Sequence, residues 1–118
     1  MVSTDFSNAL QNTREIQITV TGRKSGHPIS LPVWFVHEGE TLYLLPAKGT
    51  ATDWYNNLLK TPAIRLAARG KSLTTSTTSI SDEALVREVV AKFRDKYGAG
   101  TVNSLYSRLD AAVTVLLK

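Results

Sequence analysis

The sequence predicts a mainly β, α+β domain: a small barrel of about six strands with two main helices. Short stretches of apolar and polar alternation recur along the chain, separated by turns that contain Gly or Pro. Only two segments carry strong helical spacing, and the resulting order β-β-β-α-β-β-α-β lacks the strict alternation of a layered parallel sheet. With 118 residues and 42% apolar content, the chain can bury roughly two thirds of its unfolded surface as one domain over residues 1–118.

Residues 1–13 read as a polar lead-in, with one helical turn around Phe6 to Leu10. From Arg14 onward Ile16, Ile18 and Val20 alternate with Gln17, Thr19 and Thr21, a half-buried strand that stops at Gly22. Arg23, Lys24 and Ser25 then lie between Gly22 and Gly26, a turn whose glycines permit positive φ or close approach of a ligand. A second strand over Ile29 to His37 contains Pro32, which cannot donate to a ladder, so a bulge or an edge is expected there. Glu38-Gly39-Glu40 turns the chain into a third strand, Thr41 to Leu45, ended by Pro46.

After the small-residue loop Ala47 to Ala51, Thr50 or Thr52 can cap a helix that carries Asp53, Trp54, Tyr55, Leu58 and Leu59 and ends before Pro62. Ala63 to Ala68 and Lys71 to Ser79 are two further strands about Arg69-Gly70, the second rich in Thr and Ser and so exposed on one side. The longest helix starts at Ser81-Asp82-Glu83, buries Val86, Val89, Val90, Phe93 and Tyr97, and stops at Gly98. A short helix within Gly100 to Leu109 and a last strand, Ala111 to Leu117, complete the chain.

The net charge of +4 is unevenly placed: Arg65, Arg69 and Lys71 fall in a stretch with no acid between Asp53 and Asp82. Such a local field suits a small anion better than a long polyanion. The absence of Cys excludes disulfides, thiolate nucleophiles and Cys-type metal sites. His27 and His37 lack the i, i+4 spacing of a helical metal site, so no metal is expected. Neither a phosphate-binding glycine motif nor a hydrolase elbow occurs. Without a signal-like or membrane-length apolar run, a cytoplasmic protein with no membrane insertion is the expectation.

The turn at Arg23, Lys24 and Ser25 can converge backbone N–H groups, a hydroxyl and two cations on one phosphate, or can be an ordinary solvated hairpin tip. Trp54 and Tyr55 can dock their helix on the barrel, or one of them can face a planar ligand. Periodicity leaves Trp34 open as core, surface or stacking platform.

Taken together, Val20 to Pro28, then Pro32-Val33-Trp34-Phe35, Leu42 to Pro46, Gly49, and Trp54-Tyr55 with Asn57-Leu58 resemble the deazaflavin-dependent nitroreductase family, over about residues 14–79. That resemblance implies a split β-barrel related to the pyridoxamine-phosphate-oxidase-like flavoproteins. It also implies binding of coenzyme F-420, with FMN as the alternative. By the same resemblance Arg23, Lys24 and Ser25 would contact the cofactor's phosphate and acidic tail, Ala47, Lys48 and Gly49 its ring system, and Trp54 would stand beside it. The implied activity is hydride transfer to a small-molecule acceptor: an activated double bond, a quinone or a nitro compound. Because the cofactor carries that chemistry, no acid–base dyad is required; Tyr55 is the one candidate proton donor. A monomer or homodimer is expected. A competing reading is a small barrel that binds single-stranded nucleic acid through Trp34, Tyr43, Arg65 and Arg69, although the weak net charge favours no nucleic acid.

Overall fold

In a computed structural model, which describes residues 9–10 and 13–117, six strands close into an antiparallel barrel. They are β1 (Glu15–Thr21), β2 (Pro28–Glu38), β3 (Thr41–Leu44), β4 (Ala63–Ala68), β5 (Lys71–Ile80) and β6 (Ala112–Leu116). Their order around the barrel is β1-β2-β3-β6-β5-β4. Three helices, α1 (Asp53–Lys60), α2 (Glu83–Tyr97) and α3 (Ala99–Leu105), join them, so the ambiguous region after Gly98 is helical as expected. Of the turn expected around Phe6 to Leu10, Ala9 and Leu10 are helical and buried, and the remainder lies outside the described residues. No helix among the described residues is long and apolar enough to cross a membrane.

The barrel is split because two long strands each serve two neighbours. β2 pairs with β1 up to Trp34 and with β3 from Phe35 onward, while β5 pairs with β4 up to Ser76 and with β6 from Thr77. Pro32 fits this arrangement without a bulge. The Gly22 amide donates to the His27 carbonyl at 2.9 Å, which fixes the alternation of the β1–β2 ladder. Pro32, opposite Gln17, therefore lies in a pair that exchanges no bonds and turns its missing N–H away from β1. On that side β3 has not yet joined, so Pro32 occupies a local edge.

Where β2 changes partner, a side chain replaces a ladder rung. The Phe35 amide donates to the Tyr97 hydroxyl at 3.1 Å, and that hydroxyl lies 2.6 Å from the Arg14 carbonyl and 2.9 Å from that of Phe35. Lys96 Nζ also donates to the Phe35 carbonyl at 2.8 Å. Buried backbone groups that would otherwise lose a partner are thus satisfied by α2.

Two apolar cores result. Inside the barrel, Ile16, Ile18, Val20, Phe35, Leu42, Leu44, Ile64, Leu66, Val113 and Val115 meet Trp54, Tyr55 and Leu58 of α1, which packs on β1 and β5. Outside it, Val86, Val89, Val90, Phe93 and Tyr97 of α2 and Val102 of α3 cover Val36, Leu45 and Ala112. Asp82 caps α2 by accepting from the Leu85 amide at 3.1 Å, and Gly98, at φ 96°, ends it. Thr52 holds the corresponding position before α1 but makes no side-chain cap; its hydroxyl accepts from the Lys48 amide at 2.8 Å instead.

Candidate functional site

The hairpin turn after β1, the start of β2, the loop after β3 and one face of α1 enclose three adjoining hollows that form one groove. The first, of about 230 Å³, is lined by Gly22, Arg23, Lys24 and Ser25 of the turn with Ile29, Asp53 and Asn57. Ile29, Asp53 and Asn57 also line the second, of about 460 Å³, together with Leu31, Ala47, Lys48, Ala51, Thr52 and Trp54. Leu31, Ala47 and Trp54 continue into the third, of about 270 Å³, which ends among Val33, Trp34, Leu105 and Tyr106. The groove therefore runs from a cationic end, past apolar walls, to an aromatic end. Its middle hollow alone lies within the roughly 300–1,000 Å³ range of small-molecule pockets.

At the cationic end the turn is tied to α1. Asn57 Oδ1 accepts from the Arg23 amide at 3.1 Å and from Arg23 Nη1 at 2.7 Å. The same guanidinium reaches the Asp53 carbonyl at 3.2 Å and its carboxylate at 3.4 Å, and Lys60 Nζ donates to the Arg23 carbonyl at 3.0 Å. Ser25 Oγ accepts from the His27 amide at 3.1 Å, which closes the turn. A Cβ on Gly22 would stand 2.8 Å from that hydroxyl, so a larger residue there would displace the Ser25 side chain from the turn. Among the described residues the Lys24 side chain and the Lys24 and Ser25 amides make no hydrogen bond or ion pair, leaving one cation and two donors for a ligand.

The loop residues take different positions. Ala47 and Lys48 line the groove, whereas Gly49 is buried at φ 53° against the chain that precedes β6. A Cβ on Gly49 would overlap Asp110 Oδ1 and come within 2.9 Å of the Arg108 carbonyl. Asp110 in turn accepts from the Thr50 amide at 2.9 Å and the Thr50 hydroxyl at 3.0 Å, and pairs with Arg108 Nε at 2.9 Å. Burial pushes the Asp110 carboxyl up, but these bonds and the Arg108 charge outweigh it and hold the group below the usual carboxylate range.

Trp54 is 7% exposed: it belongs to the barrel core, as a residue that docks its helix does, and it also lines the two larger hollows. Tyr55, 4% exposed, points with Leu58 into the barrel and is not among the groove's lining residues. Burial and then the Asp110 carboxylate push its phenol up, so it stays protonated through the neutral range. Two residues escaped sequence reasoning, one in the groove's lining and one behind its loop. Asn57 stood in the quoted motif without a role, and no local pattern reveals that its amide faces Arg23, 34 positions away. Asp110 lies 60 positions from Thr50 and carries no motif.

The residues of the nucleic-acid reading are not brought together. Trp34 stacks on Tyr97 with ring centroids 4.2 Å apart, and Tyr43 lies under Lys92, both beneath α2. Arg65 and Arg69 belong to β4 and its turn, and β4 lies across the barrel from β3. No group of three His, Asp or Glu among the described residues could hold a metal ion.

Similar architecture occurs in solved proteins. An F-420-H2-dependent reductase (FDR-A) has a TM-score of 0.67 at 20% identity, with 86% of this chain and 93% of that chain covered. HutZ, a heme storage protein from Vibrio cholerae, has a TM-score of 0.70 at 16% identity, covering 98% and 88%. A candidate pyridoxamine 5'-phosphate oxidase from Listeria innocua has a TM-score of 0.67 at 12% identity, covering 98% and 93%. These likenesses establish the fold as the pyridoxamine-phosphate-oxidase-like split barrel. A family described as an uncharacterized protein conserved in bacteria (DUF2255) matches residues 7–117, and the chain belongs to that family.

Proposed function

We propose that this protein is an oxidoreductase that binds coenzyme F-420 in the groove and delivers a hydride to a small electrophilic acceptor. The observation that carries the reading is the continuity of the groove from the unpaired Lys24 and the free turn amides to an apolar, aromatic end. Residues present fit such a ligand, because the lining of the cationic end holds Arg23 and Lys24 against the single carboxylate of Asp53, which pairs with Arg23 and leaves Lys24 for an anion. The reductase likeness at 20% identity agrees with it.

A bound deazaflavin supplies the hydride chemistry, so the chain's task is to hold and orient. Lys24 and the amides of Lys24 and Ser25 would take the phosphate. Leu31, Ala47 and Trp54 would exclude water along the ring-sized middle hollow, and Val33, Trp34 and Tyr106 would receive the acceptor, an enone, a quinone or a nitroaromatic. Gly49 and Tyr55 support the loop and α1 from the core side. FMN is the second reading, since a single phosphate needs only the Lys24 end of the groove. A homodimer belongs to the same proposal: Ile29 and Leu105, both in the groove's lining, are 43% and 56% exposed, apolar surface that a second copy would cover. Light scattering that gives a monomer, or a species larger than a dimer, overturns that part.

Fluorescence titration of the purified protein with F-420 and, separately, FMN tests the reading, followed by oxidation of reduced F-420 with each acceptor class. Binding together with acceptor-dependent oxidation supports it. Tight binding without oxidation for any acceptor removes the enzyme and leaves a cofactor-binding protein.

A further inference from the structure

We propose that the side-chain amide nitrogen of Asn57 is a ligand-binding donor that takes a phosphoryl oxygen, and that Arg23 is the residue that positions it. The proposal rests on the cofactor reading for the identity of the ligand and on independent geometry for the site.

Asn57 is 4% exposed and is one of two buried polar residues among the described residues. Its oxygen faces two donors, the Arg23 amide and Arg23 Nη1. Only a carbonyl oxygen can satisfy both, so the amide cannot be flipped and its NH₂ must point the other way. That nitrogen donates to nothing among the described residues. No buried side-chain nitrogen or oxygen among them is left without a partner, and the Asn57 Nδ2 is therefore open. The open space beside Asn57 is the groove, at the junction of its cationic and middle hollows.

The surroundings select the ligand class. An amide NH₂ can serve any oxygen acceptor, but this one is flanked by Lys24 and by a turn with two unspent amides. The Asp53 carboxylate, which would repel an anion, is paired with Arg23. Arg23 is thus engaged in the protein through both terminal nitrogens: it offsets Asp53 and fixes the Asn57 amide, while Lys24 supplies the charge that meets the phosphate. This departs from the expectation that Arg23 itself contacts the phosphate.

Asn57→Asp separates the two roles of the side chain. It keeps an acceptor for Arg23, and with it the turn, but replaces the groove-facing donor by a carboxylate oxygen. The expected result is a Tm at or above that of the wild type and affinity for F-420, or for FMN, at least tenfold weaker. Arg23→Ala should weaken binding in the wild-type background and weaken it by a smaller factor in Asn57→Asp, where only its pairing with Asp53 is left to lose, whereas Lys24→Ala should weaken both by the same factor, because it acts independently. If the wild type binds a cofactor and Asn57→Asp binds it equally well, the proposal is overturned and the cofactor reading stands. If the wild type binds neither cofactor, titration with inorganic phosphate, followed on the Asn57 side-chain amide resonances, decides. A shift that Lys24→Ala abolishes keeps Asn57 as a phosphate donor without the cofactor; no shift overturns it.

Discussion

Tyr97 contributes most through one oxygen atom. Its hydroxyl spans the Phe35 amide and the Arg14 carbonyl where β2 leaves β1, while its ring stacks on Trp34. Tyr97→Phe keeps the ring and leaves buried backbone groups unpaired, at a cost of about 1–3 kcal/mol. Urea unfolding should register that loss with an unchanged m-value; a stability within about 0.5 kcal/mol of the wild type would mean that water replaces the hydroxyl there. Helical spacing in the sequence was enough to place Tyr97 on the buried face of α2. Its hydrogen bonds were not legible, because they depend on which rung the barrel drops, 62 positions away. Asn57 and Asp110 were hidden for the same reason, since a polar residue acquires its role from partners that only the closed fold supplies. Lys24, by contrast, was readable as a candidate ligand cation from its place between two glycines, with a solvated hairpin tip as the alternative, and its side chain has no partner among the described residues.

The loop from Ala47 to Thr52 acts as an element because it is clamped from both ends. Thr52 holds the Lys48 amide, and Asp110 holds Thr50. Gly49→Ala would put a Cβ against Asp110 in a left-handed conformation, and we expect a loss of more than about 2 kcal/mol together with weaker cofactor binding. Asp110 adds a pH dependence whose sign follows from its lowered pKa. Its contribution is present above the unfolded carboxyl value, about 4, and is lost as the pH falls through the still lower folded value. Asp110→Asn should therefore lower Tm near neutral pH and flatten its decline in acid; an unchanged acid limb would show that the clamp is not electrostatic. Composition showed this segment to be a small-residue loop, and only the family resemblance singled out Gly49. Its partner was out of reach, as was the failure of Thr52 to cap α1, because an open loop amide competes for the hydroxyl. The strands were legible from alternation to within a residue or two. The division of β2 and β5 between two neighbours was not, since pairing partners leave no local trace.

For the whole molecule, the groove lies where the two apolar cores meet. Trp54, Leu31 and Val33 pack with the barrel interior, whereas Trp34 and Tyr106 pack under α2 and α3. A ligand along the groove would touch groups from both cores and disappear from reach once either opens, so binding should stabilise the whole fold rather than one loop. Ligand at about 100 times its dissociation constant adds about 2.7 kcal/mol to a state that alone binds it, which for a chain of this size raises Tm by several degrees. Lys24 has no partner among the described residues, so Lys24→Ala should leave the stability of the free protein within the narrow range of surface substitutions, about 0.5 kcal/mol. The same variant should lose most of the Tm increase produced by F-420 or FMN, and the lost increase should shrink as salt is raised, because an exposed cation is screened. Thermal scans of wild type and variant, with and without cofactor at low and high salt, separate these effects. An equal increase in both proteins would remove Lys24 from the binding end of the groove, while a lower Tm in the free variant would make it a structural residue.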